Sequence, residues 1–125
     1  MEENEISYIA RGAIFKVYNA LGPGLLESVY EAALKYELTK AGLSVTAQVP
    51  IPVVYDEVKL DLGFRLDLFI NNKVIIEIKS VEVLAPVHHK QLLTYLKITN
   101  TKLGLLVNFN TDNISNGITR IVNNL

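Results

Sequence analysis

The sequence predicts an α/β (α+β) domain, with a mixed central sheet flanked by helices. Three observations lead there. The apolar period is three to four residues up to Gly42 and two after it. Three extended segments then follow one another with only short turns between them. A second helical stretch and another extended segment come next, which is the pattern of a sheet covered by helices.

The elements follow in order. Ile6, Ile9, Ala13, Val17 and Ala20 mark one face of a helix from about Glu5 to Leu21. "LGPG" breaks it. A second helix is predicted from about Leu25 to Lys40, with Leu26, Val29, Ala33 and Leu38 as its stripe and Gly42 at its stop. "LSVTAQVPIPVVY" is extended, and Pro50 and Pro52 confine part of it to an edge or a bend. "LDLGFRLDLFI" is a second strand. Asn71-Asn72 signals a tight turn, because Asn tolerates left-handed backbone. "KVIIEIKS" is the third strand. Pro86 opens a helix reaching about Ile98, and "KLGLLVNF" is a further strand. "SNGITRIVNNL" reads as a short final helix.

Composition narrows the functions. The 125 residues suffice for one domain and one core, taken as residues 1–125. No apolar run approaches the roughly 18 residues of a membrane span, so no membrane partner is expected. The first ten residues are acidic and polar, unlike a signal peptide. There are no cysteines, which excludes disulfides, zinc-thiolate centres and thiol nucleophiles. Together these point to a cytoplasmic protein. The net charge of −1 lacks the basic footprint of a general nucleic-acid coat. It argues less against a nuclease, where carboxylates lower the charge and metal ions supply the positive field.

The third strand poses a question. It looks buried on both faces, yet carries Glu77 and Lys79, two apart and so on one face. Asp67 lies in the strand before. A two-residue turn at Asn71-Asn72 would set Asp67 opposite Ile76, whereas a three-residue loop or a bulge would set it opposite Glu77. Two carboxylates side by side repel unless a cation lies between them. Such oxygen donors suit Mg²⁺ or Mn²⁺. The plain alternative is a Glu77–Lys79 ion pair on a solvated face. Two more groupings stand out. Glu27 and Tyr30 share a side at the start of the second helix, where Glu27 also suits the helix dipole. His88, Gln91 and Tyr95 share a helix face, which a solvated surface would equally explain.

Taken together, these residues resemble the GxxExxY protein family, a branch of the PD-(D/E)XK nuclease superfamily. The naming motif stands as Gly24, Glu27 and Tyr30 in "GLLESVY", followed in order by "QVPIPVVY", "FRLDLFI", "IIEIKS", "PVHHKQLLTYL" and "GLLVNFN". The resemblance runs from about Glu5 to Val122. It implies a restriction-endonuclease-like core of α-β-β-β-α-β order. It further implies a Mg- or Mn-dependent nuclease acting on DNA or RNA. Asp67, Glu77 and Lys79 match the D…E-x-K signature, Glu27 the helix carboxylate of the metal shell, and Ile78 a backbone-carbonyl ligand. Gln91 and Tyr95 match the Q-x-x-x-Y element facing the same cleft, with Tyr30 and His88 beside it. Leu66 stands where the superfamily name has its proline, and His89 matches no usual position. A non-catalytic module that keeps the fold and binds nucleic acid or protein is the alternative. A homodimer is open, because no residue pattern marks an interface.

Overall fold

The computed structural model describes residues 1–125 apart from the side chains of Asp61 and Leu62. Helices α1 (Glu3–Leu21) and α2 (Glu27–Lys40) lead into strands β1 (Val45–Tyr55), β2 (Val58–Ile70) and β3 (Val74–Lys79). Helix α3 (Pro86–Thr99) and strand β4 (Leu103–Asn108) follow. A short 3₁₀ turn over Ile114–Gly117 then enters β5 (Ile118–Val122). The sheet order is β1-β2-β3-β4-β5; β3 and β4 are parallel and the other pairs antiparallel. A parallel pair needs a long crossover, and α3 supplies it.

Two apolar layers hold the sheet. Ile6, Ile14, Leu34 and Leu38 of α1 and α2 pack on Leu68, Ile70, Ile76, Ile78 and Leu105. On the other face Leu92, Tyr95 and Leu96 of α3 pack on Leu66, Ile75 and Leu106. β3 is therefore covered on both sides, which is why it reads as an unbroken apolar run. Each such side chain contributes roughly 1.5–3 kcal/mol on burial.

Two expectations are corrected. The chain end is not a helix: Ile118–Val122 pairs antiparallel with β4. Its β-branched residues (Ile118, Thr119, Ile121, Val122) favour a strand, and the 3₁₀ turn ends at Gly117 rather than running on into them. The buried stripe of α2 is Tyr30, Leu34 and Leu38, whereas Leu26 and Val29 are exposed. Leu26 caps the helix from outside it, so it follows no helical period.

The β1–β2 ribbon crosses from one layer to the other. Val45, Ala47, Leu68 and Ile70 pack under α1 and α2. Val49, Ile51, Phe64 and Leu66, in the same rows, pack on the α3 side. The change falls between the pairs Ala47↔Leu68 and Val49↔Leu66, where the Gln48–Asp67 pair of the ladder is not made. Gln48 has φ 53°, in the left-handed region, and this twists the ribbon through.

Candidate active site

The register of β2 against β3 decides what Asp67 meets. The pairs are Ile70↔Val74, Phe69↔Ile75 and Leu68↔Ile76, so the loop is Asn71, Asn72 and Lys73. Asn71 and Asn72 take left-handed φ of 51° and 54°. The Lys73 N–H closes the loop on the Ile70 carbonyl at 2.9 Å. Asp67 and Glu77 are the next two residues out, and there the backbone ladder stops. Side chains replace it: the Glu77 carboxylate accepts the Asp67 N–H at 2.7 Å, and the Asp67 carboxylate accepts the Ile78 N–H at 2.8 Å. The two strands part, and a pair of carboxylates fills the fork.

The electrostatics follow from that position. Glu77 is 5% exposed. Burial first, and the Asp67 charge second, push its pKa up to about 8. The Asp67 N–H and the charge of Lys79 pull the other way without prevailing. Glu77 and Lys79 do not form the solvated ion pair of the plain reading. Among the described residues the side-chain ion pair is Lys16–Glu37, at 3.1 Å and on another surface. Lys79 is half-buried and, by strand alternation, lies in the Glu77 row.

The backbone of Ile78 faces the fork as well. Lys79 gives its carbonyl to Phe109 of the adjoining β4 segment at 2.9 Å. By alternation the N–H and carbonyl of Ile78 point toward β2, where Asp67 takes the N–H. From α3, Tyr95 stacks on Phe64 at 3.9 Å between centroids. Its hydroxyl pKa is raised by burial, then by Glu77 and Asp67, while a hydrogen bond with Gln91 lowers it. Asp67, Glu77 and the Ile78 backbone thus meet in the fork; Lys79 acts on the Glu77 charge from the same row, and Tyr95, bonded to Gln91, feels the charge of both carboxylates.

Three expected residues stand elsewhere. Tyr30 is fully buried and stacks on Phe109 at 4.2 Å. Its hydroxyl donates to the Gly22 carbonyl at 2.5 Å and accepts the Leu25 N–H at 3.1 Å. It thus ties down the loop before α2, in which Gly24 has φ 93°, and is not a cleft residue. His88 accepts the Ala85 N–H on Nδ1 at 3.1 Å and so caps α3. Glu27 is exposed at the first residue of α2, and its charge is not among those acting on Glu77. The α2 carboxylate whose charge reaches both Asp67 and Glu77 is Glu31, one turn later. The sequence reading missed it, although Glu31 shares Glu27's face at i+4. It also missed Gln48, whose amide donates to Glu31 at 2.5 Å and Asp67 at 3.4 Å.

The donors fit a hard divalent cation. Two carboxylates are held together, one of them buried with no counter-charge at contact distance, and a backbone carbonyl turns to the same side. No group of three acidic, histidine or cysteine side chains stands together among the described residues. A shell built here would take two carboxylates and a carbonyl from the protein. Mg²⁺ accepts such a share because it keeps several waters. No helix is long and apolar enough to cross a membrane among the described residues.

No curated protein matches the chain, and no solved structure does. A family model does, over residues 4–121, nearly the whole length, and that span contains every residue of the fork. The chain belongs to the PD-(D/E)XK nuclease superfamily.

Proposed function

We propose that the chain, as one domain over residues 1–125, is a Mg²⁺- or Mn²⁺-dependent nuclease of the GxxExxY branch that hydrolyses phosphodiester bonds in DNA or RNA. The carrying observation is the fork, where Asp67 and Glu77 end the β2–β3 ladder and each carboxylate accepts a backbone N–H from the opposite strand. Those bonds hold both carboxylates in place before any ligand arrives, which is the preorganisation that catalysis by positioning requires. The GxxExxY assignment rests on the motif from Gly24 to Tyr30, whose tyrosine and glycine build the loop leading into α2.

Asp67, Glu77 and the Ile78 carbonyl would hold the ion. When bound, it polarises the phosphodiester and lowers the pKa of a water. Glu31 takes the place that the resemblance gives to Glu27, and acts through Gln48. Lys79 lies in the Glu77 row and stabilises negative charge building on phosphate oxygens. Tyr95 and Gln91 close the α3 side, where the Tyr95 hydroxyl can donate to a phosphate oxygen. Hydrolysis adds water oxygen to phosphorus and breaks one phosphorus–oxygen ester bond, and the departing oxygen takes up a proton.

The test is cleavage of plasmid, single-stranded DNA and RNA in Mg²⁺ or Mn²⁺. Asp67→Asn and Glu77→Gln should each lower the rate by about a hundredfold or more while the protein stays folded. Full activity in either variant would sink the nuclease reading. The second reading is a non-catalytic module that binds nucleic acid or protein, which the fold alone does not separate from a nuclease. Under that reading the wild type cleaves none of the three substrates, and oligonucleotide or protein binding survives both substitutions.

A further inference from the structure

Gln48 holds an unusual backbone inside a strand. The other non-glycine residues at positive φ lie in turns, at a helix end or past β5: Asp56, Glu57, Asn71, Asn72, Asn100 and Asn124. Asparagine and aspartate tolerate that region because their short side chains bond locally; glutamine does not. The conformation is therefore disfavoured at such a residue. The ribbon needs the twist, but glycine would supply it without that strain. The glutamine side chain must therefore contribute something that the twist alone does not explain.

Its contacts say what. A primary amide has two N–H donors on one nitrogen. Nε2 of Gln48 lies 2.5 Å from Glu31 Oε1 and 3.4 Å from Asp67 Oδ1. One amide thus joins a carboxylate on α2 to a carboxylate in the fork, across the gap where the Gln48–Asp67 ladder pair is missing. The left-handed backbone is what breaks that pair. Asp67 is then anchored from two sides: the Ile78 N–H holds one oxygen and Gln48 the other.

We infer that Gln48 is a positioning residue. It orients the Asp67 carboxylate for a divalent cation and couples Glu31 of α2 to that site, at the expense of local backbone strain. The inference rests on the nuclease reading for its purpose, though not for its geometry.

Two measurements on the full chain test it, with Gln48→Ala and Gln48→Gly. The first needs no metal. Gln48 is one of two glutamines, so its side-chain ¹⁵N amide signal is assigned by its loss in Gln48→Gly. That signal should shift in both Glu31→Gln and Asp67→Asn. A signal indifferent to either overturns the bridge, whatever the protein's activity. The second is Mn²⁺ titration by calorimetry alongside thermal melting. Gln48→Gly should melt no lower than wild type, because the strain is relieved, yet bind Mn²⁺ about tenfold to a hundredfold more weakly. Gln48→Ala should lose similar affinity and melt lower. Wild-type affinity in Gln48→Gly would make the residue a twist element only and overturn the inference, leaving the nuclease reading intact. A wild type that binds no Mn²⁺ overturns both readings.

Discussion

Replacing Glu77 with glutamine should stabilise the metal-free protein, and increasingly so as the pH rises. The Glu77 pKa is about 8 in the fold, against an ordinary 4.5. The folded state therefore keeps a proton that the unfolded chain has already released. Stability from this group is complete below the unfolded value and is lost as pH climbs through the folded one. At 1.36 kcal/mol per pKa unit, the wild type gives up about 3 kcal/mol by pH 7 and about 5 kcal/mol above pH 8. Glutamine has nearly the same shape and can still accept the Asp67 N–H, but it carries no charge at any pH. Urea unfolding in EDTA at pH 4.5, 7 and 9 should thus show Glu77→Gln close to wild type at the lowest pH and clearly more stable at the highest. Adding Mn²⁺ should reverse the order, since the ion stabilises only the chain that binds it. A variant less stable than wild type at pH 9 would refute the reasoning, for it would mean that Glu77 is paired rather than crowded.

Tyr30→Phe removes the hydroxyl that serves both Gly22 and Leu25, and should lower stability by roughly 1–3 kcal/mol; an unchanged value would deny it the loop-anchoring role. His88→Ala removes the cap on the Ala85 N–H and should lower stability by about 1 kcal/mol, with the loss centred on the first turn of α3 in hydrogen exchange. Gly12 lies within α1, and a methyl added there meets nothing within 4 Å, so Gly12→Ala should raise stability by about 1 kcal/mol; a loss would reveal a partner packed on that face. Tyr95→Phe keeps the stack on Phe64 but removes the hydroxyl, and should lower kcat with little change in melting temperature.

The fold was legible because its signals are local. Apolar periods, the "LGPG" break and the Asn-Asn turn each act within a few residues, and they place α1, α2, α3 and β1 to β4 correctly. The failures were at places where distant contacts decide. β5 exists because β4 offers an unpaired edge, which the tail's own sequence does not display. The α2 stripe differs from its prediction because Leu26 and Val29 are apolar but exposed. The register between Asp67 and Glu77 hung on whether Lys73 belongs to the loop, and both arrangements suit Asn71-Asn72. Gln48 was invisible for a different reason: nothing in "TAQVP" shows a left-handed strand residue, since glutamine has no preference for that backbone.

A carboxylate in the most covered strand is a local conflict of the kind that a chain shaped only for folding would not contain. Two simple resolutions are absent from the fork. Lys79 is close enough to act on the Glu77 charge but forms no contact ion pair with it. Solvent does not relieve the charge either, because the side chain is 5% exposed. What the fold supplies are N–H groups from the opposite strand, which fix the carboxylates' orientation without neutralising them. Below about pH 8 the metal-free fold settles the conflict with a proton on Glu77, and an incoming cation takes that proton's place on ligands that are already aimed. The same conflict explains why stability and metal affinity should move in opposite directions for both Glu77→Gln and Gln48→Gly, two substitutions acting through different physics, charge in one and backbone strain in the other.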